Sequence, residues 1–208
     1  MTKYGMVIDQ RRCFGCNSCA MACKVENNLP DDVWWNRAKT VGGDSENTPA
    51  GTEPGELSMH FFTYACQHCD EPACVEVCPT GASVKREDGI VTVDYEACIG
   101  CKSCITACPY EGVRTYIDGD PSWFLEFPVG DVDAPVHKGN VVEKCTFCAH
   151  RVDRGERPAC VDICRAHARF WGDLDDPESD VSKLLQEHEY EQLLTDYGTG
   201  PNVYLLKA

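Results

Sequence analysis

The stretch Cys98–Tyr110, CIGCKSCITACPY, sets Cys98, Cys101, Cys104 and Cys108 at two-, two- and three-residue intervals with a proline directly after. This is the C-x2-C-x2-C-x3-C-P spacing of two-cluster iron–sulfur modules. Three cysteines two residues apart wrap a short loop around one cubane cluster. The fourth leaves on a helical turn, faces the other way and reaches a neighbouring cluster. One such run therefore implies another. The chain has three more groups: Cys13, Cys16, Cys19 and Cys23; Cys66, Cys69, Cys74 and Cys78; Cys145, Cys148, Cys160 and Cys164.

Sixteen cysteines in 208 residues also fit a disulfide scaffold or zinc clips. Disulfides need no tetrads, however, and here every cysteine falls into one with none left over. Zinc sites seldom use two successive two-residue spacings. The formal net charge is −15 before metal is counted, and thiolate-bound clusters add more negative charge. Such a surface cannot neutralise phosphates, which excludes nucleic acid as a partner. It suits an acidic electron carrier or a subunit docked on a larger one. No apolar run reaches the roughly 18 residues of a membrane span, so no direct membrane span is expected. The segment before Cys13 lacks the apolar core of a signal peptide. Arg11–Arg12 is no twin-arginine signal, because the first ligand follows at once.

Along the chain, Tyr4–Ile8 reads as a strand entering the first group. Gly15 and Gly100 sit at matching places in the first and third groups, where a tight loop needs them. The first group has Lys24 where the third has Pro109, so its helix can run on. Residues 28–59 form an unpatterned insertion containing Trp34 and Trp35. It either lids a neighbouring cluster or docks a partner. His60–Tyr64 reads as a strand, and Pro72 opens the helix of the second group. His68 is second to four cysteines and is read as a supporting or surface residue rather than a ligand. Ala82–Val84 and Ile90–Val93 flank a turn and form a hairpin. Gly112–Ile117 is a further strand. Residues 119–140 are a second insertion with an apolar knot at Trp123, Phe124, Leu125 and Phe127, packed on a partner or on the first module. His150, Arg151, Arg154 and Arg157 make the loop of the fourth group basic: a solvated loop, compensation for cluster charge, or a partner contact. Ala168–Trp171 is a closing strand. A helix starts at Asp176–Pro177–Glu178, with Val181, Leu184 and Leu185 on one face, and ends at Gly198, Gly200 and Pro201. Val203–Leu206 is a terminal strand or an arm on a partner.

The second and third groups share a tetrad, a proline and a following strand, so residues 60–118 form one complete two-cluster module. The first and fourth groups lack local partners and pair most economically with each other. The fold class is then α+β, with an inner ferredoxin-like module (60–118) nested within an outer, split one (1–27 and 141–172). Two insertions (28–59 and 119–140) and a C-terminal helix and arm (173–208) complete the chain. The crossed geometry assigns four [4Fe-4S] clusters. Cys66, Cys69 and Cys74 pair with Cys108; Cys98, Cys101 and Cys104 with Cys78. Cys13, Cys16 and Cys19 pair with Cys164; Cys145, Cys148 and Cys160 with Cys23.

No nucleophile–base pair, nucleotide loop or open metal position is present, and sites closed by four cysteines favour electron transfer. The segments MVIDQRRCFGCNSCAMACKVEN, CQHCDEPACVEVCPTGA, YEACIGCKSCITACPY and EKCTFCAHRVDRGERPACVDIC span nearly the whole chain. In this order they resemble the four-cluster electron-transfer subunits of the dimethyl-sulfoxide-reductase superfamily of molybdenum or tungsten bis-pterin enzymes. Nitrate-reductase relatives place a tryptophan and a three-iron cluster where this chain has Cys101, so four irons are expected there. GDLDDPESDVSKLL followed by GTGP leans to the respiratory arsenate reductase type. Arg165 replaces the proline that relatives carry after the last cysteine, and a cation there would favour the reduced cluster. The resemblance implies a large catalytic partner holding the pterin, sometimes with a quinone-reactive membrane subunit. It further implies residence on the periplasmic side by export with that partner, the alternative being cytoplasmic. A free-standing soluble polyferredoxin is the competing reading. Purified anaerobically, the chain should carry about sixteen iron atoms with matching sulfide, read by metal and sulfide analysis; zinc or intact disulfides would end this reading.

Overall fold

The structure, a computed structural model, describes residues 2–42 and 47–207. Strand β1 (Tyr4–Asp9) leads into helix α1 (Ser18–Glu26), followed by β2 (Asn36–Thr40) and β3 (Phe61–Ala65). Helix α2 (Ala73–Glu76), strands β4 (Ser83–Lys85) and β5 (Val91–Val93), helix α3 (Ser103–Thr106) and β6 (Arg114–Tyr116) follow. Then come β7 (Val142–Lys144), α4 (Ala149–Val152), α5 (Ala159–Asp162), β8 (Arg169–Asp173), α6 (Asp180–Glu187), β9 (Tyr190–Glu191) and β10 (Val203–Leu206). The outcome is the expected α+β architecture of short ferredoxin-like segments. α1 is the longest helix of the cysteine groups, and the absence of a proline after Cys23 leaves it free to run on.

The largest sheet has the order β8-β1-β10-β9. β1 lies antiparallel to β8 and parallel to β10, which makes Val203–Leu206 a sheet strand rather than an arm. The sheet is covered on both faces, so β1 reads as the continuous apolar run Met6–Ile8 rather than an alternation. Met6, Ile8, Val203 and Leu205 face a core that contains Cys19 and Cys160. Val7 and Leu206 point the other way, onto Val181, Leu184 and Leu185 of α6. Burying Val181 completely there is worth about 1.5–3 kcal/mol.

Three two-stranded ladders complete the architecture. β4 and β5 are the anticipated hairpin. β6 pairs with β7, so the inner and outer segments share a ladder that their sequences do not announce. β2 pairs antiparallel with β3. The first insertion is therefore folded back on the strand that follows it, not unpatterned; its residues 43–46 lie outside the described residues. Trp35 is buried with Cys23, Leu29, Val33 and Ile117, and Lys24 sits over the Trp34 ring at 4.8 Å. The tryptophan pair thus lies against the chain's own α1 region.

The C-terminal helix differs from expectation at both ends. Asp176 accepts from the Glu178 N–H (2.9 Å) and caps a turn of its own, which delays the helix. Ser179 is the true cap: its Oγ accepts from the Ser182 N–H at 3.2 Å. The helix stops at Glu187 because the next residues form the edge strand β9 on β10, where Tyr190 meets Tyr204 edge-on. Gly198 ends a later 3-10 turn (Thr195–Tyr197) instead, and Gly200 and Pro201 lie between that turn and β10.

Candidate metal centres

Each cysteine group begins with the same backbone device. Two residues after the first cysteine the chain turns left-handed: Gly15 (φ 70°), His68 (φ 45°), Gly100 (φ 67°) and Phe147 (φ 54°). The two glycines adopt this freely. A Cβ on Gly100 would collide with the Asn140 carbonyl oxygen. His68 and Phe147 carry a backbone cost of about 1–3 kcal/mol each. Both are fully buried and stack on each other, with centroids 3.6 Å apart and planes 17° from parallel. The His68 Nδ1 accepts from the Val91 N–H at 3.0 Å. The stack couples the second and fourth groups and accounts for two non-glycine residues where sequence pattern favours glycine.

These loops gather thiols from distant segments. Cys13, Cys16, Cys19 and Cys164 line one cavity. Cys78, Cys98, Cys101 and Cys104 line a second. Cys23, Cys145, Cys148 and Cys160 line a third, which Cys66 also reaches. Cys69 and Cys108 each have Cys66 and Cys74 as electrostatic neighbours, which brings these four together. No disulfide joins them; all sixteen are free thiols.

The quartets form a sequence. Cys19 neighbours Cys160, Cys66 neighbours Cys145, and Cys74 neighbours Cys104. The interior of this row is dry. Burial pushes the Cys145 thiol up to about 12, with Cys66 adding to it, and holds Cys23 and Cys160 above the ordinary thiol value. The two ends are open, at exposed Cys16 and Cys101. There Ser18 Oγ lies 3.4 Å from Cys16 Sγ and Ser103 Oγ 3.5 Å from Cys101 Sγ; these hydroxyls hold both thiols below their usual value.

Main-chain N–H groups also aim at sulfur: Ser83 to Cys78, Phe147 to Cys145 and Ala168 to Cys164, each at 3.4 Å. Asn27 Nδ2 lies 3.7 Å from Cys23 Sγ and 3.9 Å from Cys148 Sγ. Bare thiols would gain nothing from so many donors, and buried ones resist ionising. Four sulfurs to a cavity, ringed by donors, fit a soft metal centre that supplies the missing positive charge.

Other candidate residues resolve differently. The basic loop of the fourth group is neither free nor turned to the metal sites. Arg151 bonds Glu26 and Asp162, and Arg154 bonds Asp131 and Asp133. These pairs fasten the loop to α1 and to the second insertion. Glu26, Asp131 and His150 converge closely enough for a cation. The arginines already neutralise both carboxylates there. The second insertion is pinned to the chain itself by Trp123 Nε1 on the Asn28 carbonyl (2.7 Å), while the Phe124 ring stands 91% exposed. His137 bridges Glu143 and the Asn27 carbonyl, both at 2.7 Å.

Arg165 is exposed, and a second, buried cation, Arg169, also bears on Cys164. Arg169, buried and 3.3 Å from Cys160 Sγ, went unnoticed in the sequence, as did buried Arg114 and Lys144. The available signal was position: each charged residue opens or closes a short strand beside a cysteine group, where an apolar residue is the norm.

Known proteins share this pattern. A 4Fe-4S dicluster domain matches residues 57–119 and 132–174, and a 4Fe-4S binding domain matches residues 11–26. The chain is 50% identical to a Halobacterium salinarum protein named as a dimethyl sulfoxide reductase iron-sulfur subunit, over 100% of this chain and 80% of that one. It is 37% identical to the iron-sulfur subunit of the arsenate respiratory reductase of a Shewanella species, over 99% and 97%. It is 37% identical to a chain of the polysulfide reductase of Wolinella succinogenes, over 98% and 94%.

Gly100→Ala should lose about 1–2 kcal/mol from the left-handed backbone and a further roughly 1–3 kcal/mol from the Asn140 clash. The control is Gly119→Ala, at φ 65° with open space around it, which carries the backbone cost alone. Thermal melts and bound iron should both fall further for the first variant than for the second.

Proposed function

This protein belongs to the iron–sulfur electron-transfer subunits of the dimethyl-sulfoxide-reductase superfamily, and from that premise we propose that its sixteen cysteines hold four [4Fe-4S] clusters in crossed sets. The relay role itself follows from the family. The protein is a non-catalytic subunit that accompanies a large molybdenum- or tungsten-pterin catalytic subunit in a respiratory oxidoreductase complex.

The observation that carries the four-cluster reading is the row of quartets. Cys13, Cys16 and Cys19 would hold one cluster with Cys164, and Cys145, Cys148 and Cys160 the next with Cys23. Cys66, Cys69 and Cys74 would hold the third with Cys108, and Cys98, Cys101 and Cys104 the fourth with Cys78. Three of these sets each line a cavity, the Cys145 one shared with Cys66 of the neighbouring set. Bound there, each cluster supplies a one-electron couple closed by thiolates, with no position for substrate. The protein's own part is spacing and insulation. The His68–Phe147 stack joins the two middle sets. Met6, Ile8 and Val203 exclude water from the interior. Exposed Cys16 and Cys101 mark the two places where electrons can enter and leave.

In this reading residues 60–118 are the inner module, and residues 1–27 with 141–172 the outer one. No helix among the described residues is long and apolar enough to cross a membrane. A quinone-reactive membrane subunit would be a further partner of the complex. The complex would stand on the periplasmic side, this chain carried across with its catalytic partner. Relatives named for dimethyl sulfoxide, arsenate and polysulfide reductases support a small sulfur- or metalloid-centred compound as the substrate class of that partner.

Affinity purification from the native cell under anaerobic conditions should bring a pterin-containing chain several times larger. Recovery of this chain alone, fully loaded and reducing many acceptors, would identify a free polyferredoxin instead. Cys101→Ala should lose or convert one cluster and interrupt electron delivery, leaving the catalytic partner's own chemistry intact. Spin counting by electron paramagnetic resonance on the reduced variant reads this, and an unchanged four-cluster count defeats the ligand assignment.

A further inference from the structure

Three cations are buried in the core: Arg169 at 7% exposure, Arg114 at 5% and Lys144 at 1%. None has an Asp or Glu partner among the described residues. Arg169 reaches the Thr63 hydroxyl, Met6 Sδ (2.8 Å) and Cys160 Sγ (3.3 Å), and its Nε has no partner. Among the described residues Arg114 reaches the Ser83 hydroxyl (3.4 Å) and the Cys104 thiol, and its Nη2 has no partner. Lys144 bonds the carbonyls of Val91 and Cys145. A buried charge left without a counter-charge costs several kcal/mol. Three in one small protein require negative charge close by, and cysteine sulfur is what lies there.

Their positions are regular. Arg169 lines both the Cys13 cavity and the Cys145 cavity, facing Cys19 and Cys164 on one side and Cys145 and Cys160 on the other. Arg114 faces Cys66, Cys74 and Cys108 of one set and Cys104 of the next; its partner Ser83 donates its N–H to Cys78. Lys144, paired across the β6–β7 ladder with Arg114, bonds the carbonyl of Cys145, the cysteine that neighbours Cys66 at the remaining junction. It is within electrostatic reach of Cys145 and of His68, which lies between Cys66 and Cys69. The row of four quartets has three junctions, and each holds one cation.

Resting on the four-cluster reading, we propose that Arg169, Arg114 and Lys144 are charge spacers, one at each junction, that raise the reduction potentials of both clusters they separate. A fixed positive charge between two anionic sites favours an added electron on either. In a dry interior this attraction is weakly screened. The cation also offsets repulsion between electrons held on adjacent sites. Successive sites are thereby kept reducible despite the chain's net charge of −15.

The test is a redox titration of the full chain in its purified complex, followed by low-temperature electron paramagnetic resonance. Arg169→Gln should lower two cluster potentials, each by at least a tenfold change in reduced-to-oxidised ratio, about 59 mV for one electron. Arg114→Gln should lower the other two. Lys144→Gln should lower one from each pair. Arg169→Lys keeps the charge while losing the guanidinium's bonds, and should return the potentials toward wild type. A uniform shift of all four, no shift, or a lysine variant as low as the glutamine one would overturn the proposal. If Arg169→Gln loses iron, the Arg114 and Lys144 variants decide by the same pattern. Fewer than four cluster signals in the unmutated protein would instead defeat the four-cluster reading; four signals with unmoved potentials defeat the spacers alone.

Discussion

Cys164 must come to Cys13, and Cys23 to Cys145, before either outer cavity has four donors. Much of the tertiary structure answers that demand. The first segment and the last third of the chain are tied by β1 on β8 and by β10 lying parallel to β1. Arginine–carboxylate bonds between the fourth cysteine loop and α1 add a second tie. A buried donor set cannot be assembled halfway, because each thiol left without metal pays for burial and gains no bond. Metal binding should therefore be coupled to folding, with Cys19 and Cys160 among the core residues beside Met6, Ile8 and Phe147.

The second theme is the handling of negative charge. Acidic residues outnumber basic ones by 34 to 19, and thiolates add to that excess. Surface pairs such as Arg154 with Asp131 and Asp133 organise loops, but solvent-exposed ion pairs contribute little to stability. The interior is arranged differently. Arginine and lysine are buried against sulfur, and main-chain N–H groups and hydroxyls converge on the same atoms. The terminal quartets are half open to solvent and polar, the central ones closed. That gradient is what a relay needs: exchange with partners at the ends and exclusion of water between.

The insertions illustrate how local reading and tertiary packing diverge. Trp34 and Trp35 look like docking anchors in a loop without periodicity, yet Trp35 packs beside Cys23 and β2 runs along β3. The rings at Phe124 and Phe127 look like the same kind of feature and do remain exposed. Nothing in either segment's composition separates the two cases; the neighbouring strand does.

Cysteine spacing determined the four groups and their iron–sulfur chemistry, and turn and strand patterning determined the α+β class, the hairpin of β4 and β5 and the strand that enters the first group. Spacing could do so because ligand geometry is local, and two-residue spacing around one centre leaves few backbone solutions. Tertiary structure decided the rest. It set the order of the quartets, the shared β6–β7 ladder, the left-handed His68 and Phe147 held by their mutual stack, and the burial of Arg169, Arg114 and Lys144. Those features depend on which distant segments meet. A charged residue beside a cysteine group looks the same in sequence whether it ends in solvent, as Arg165 does, or between two sets of thiols, as Arg169 does.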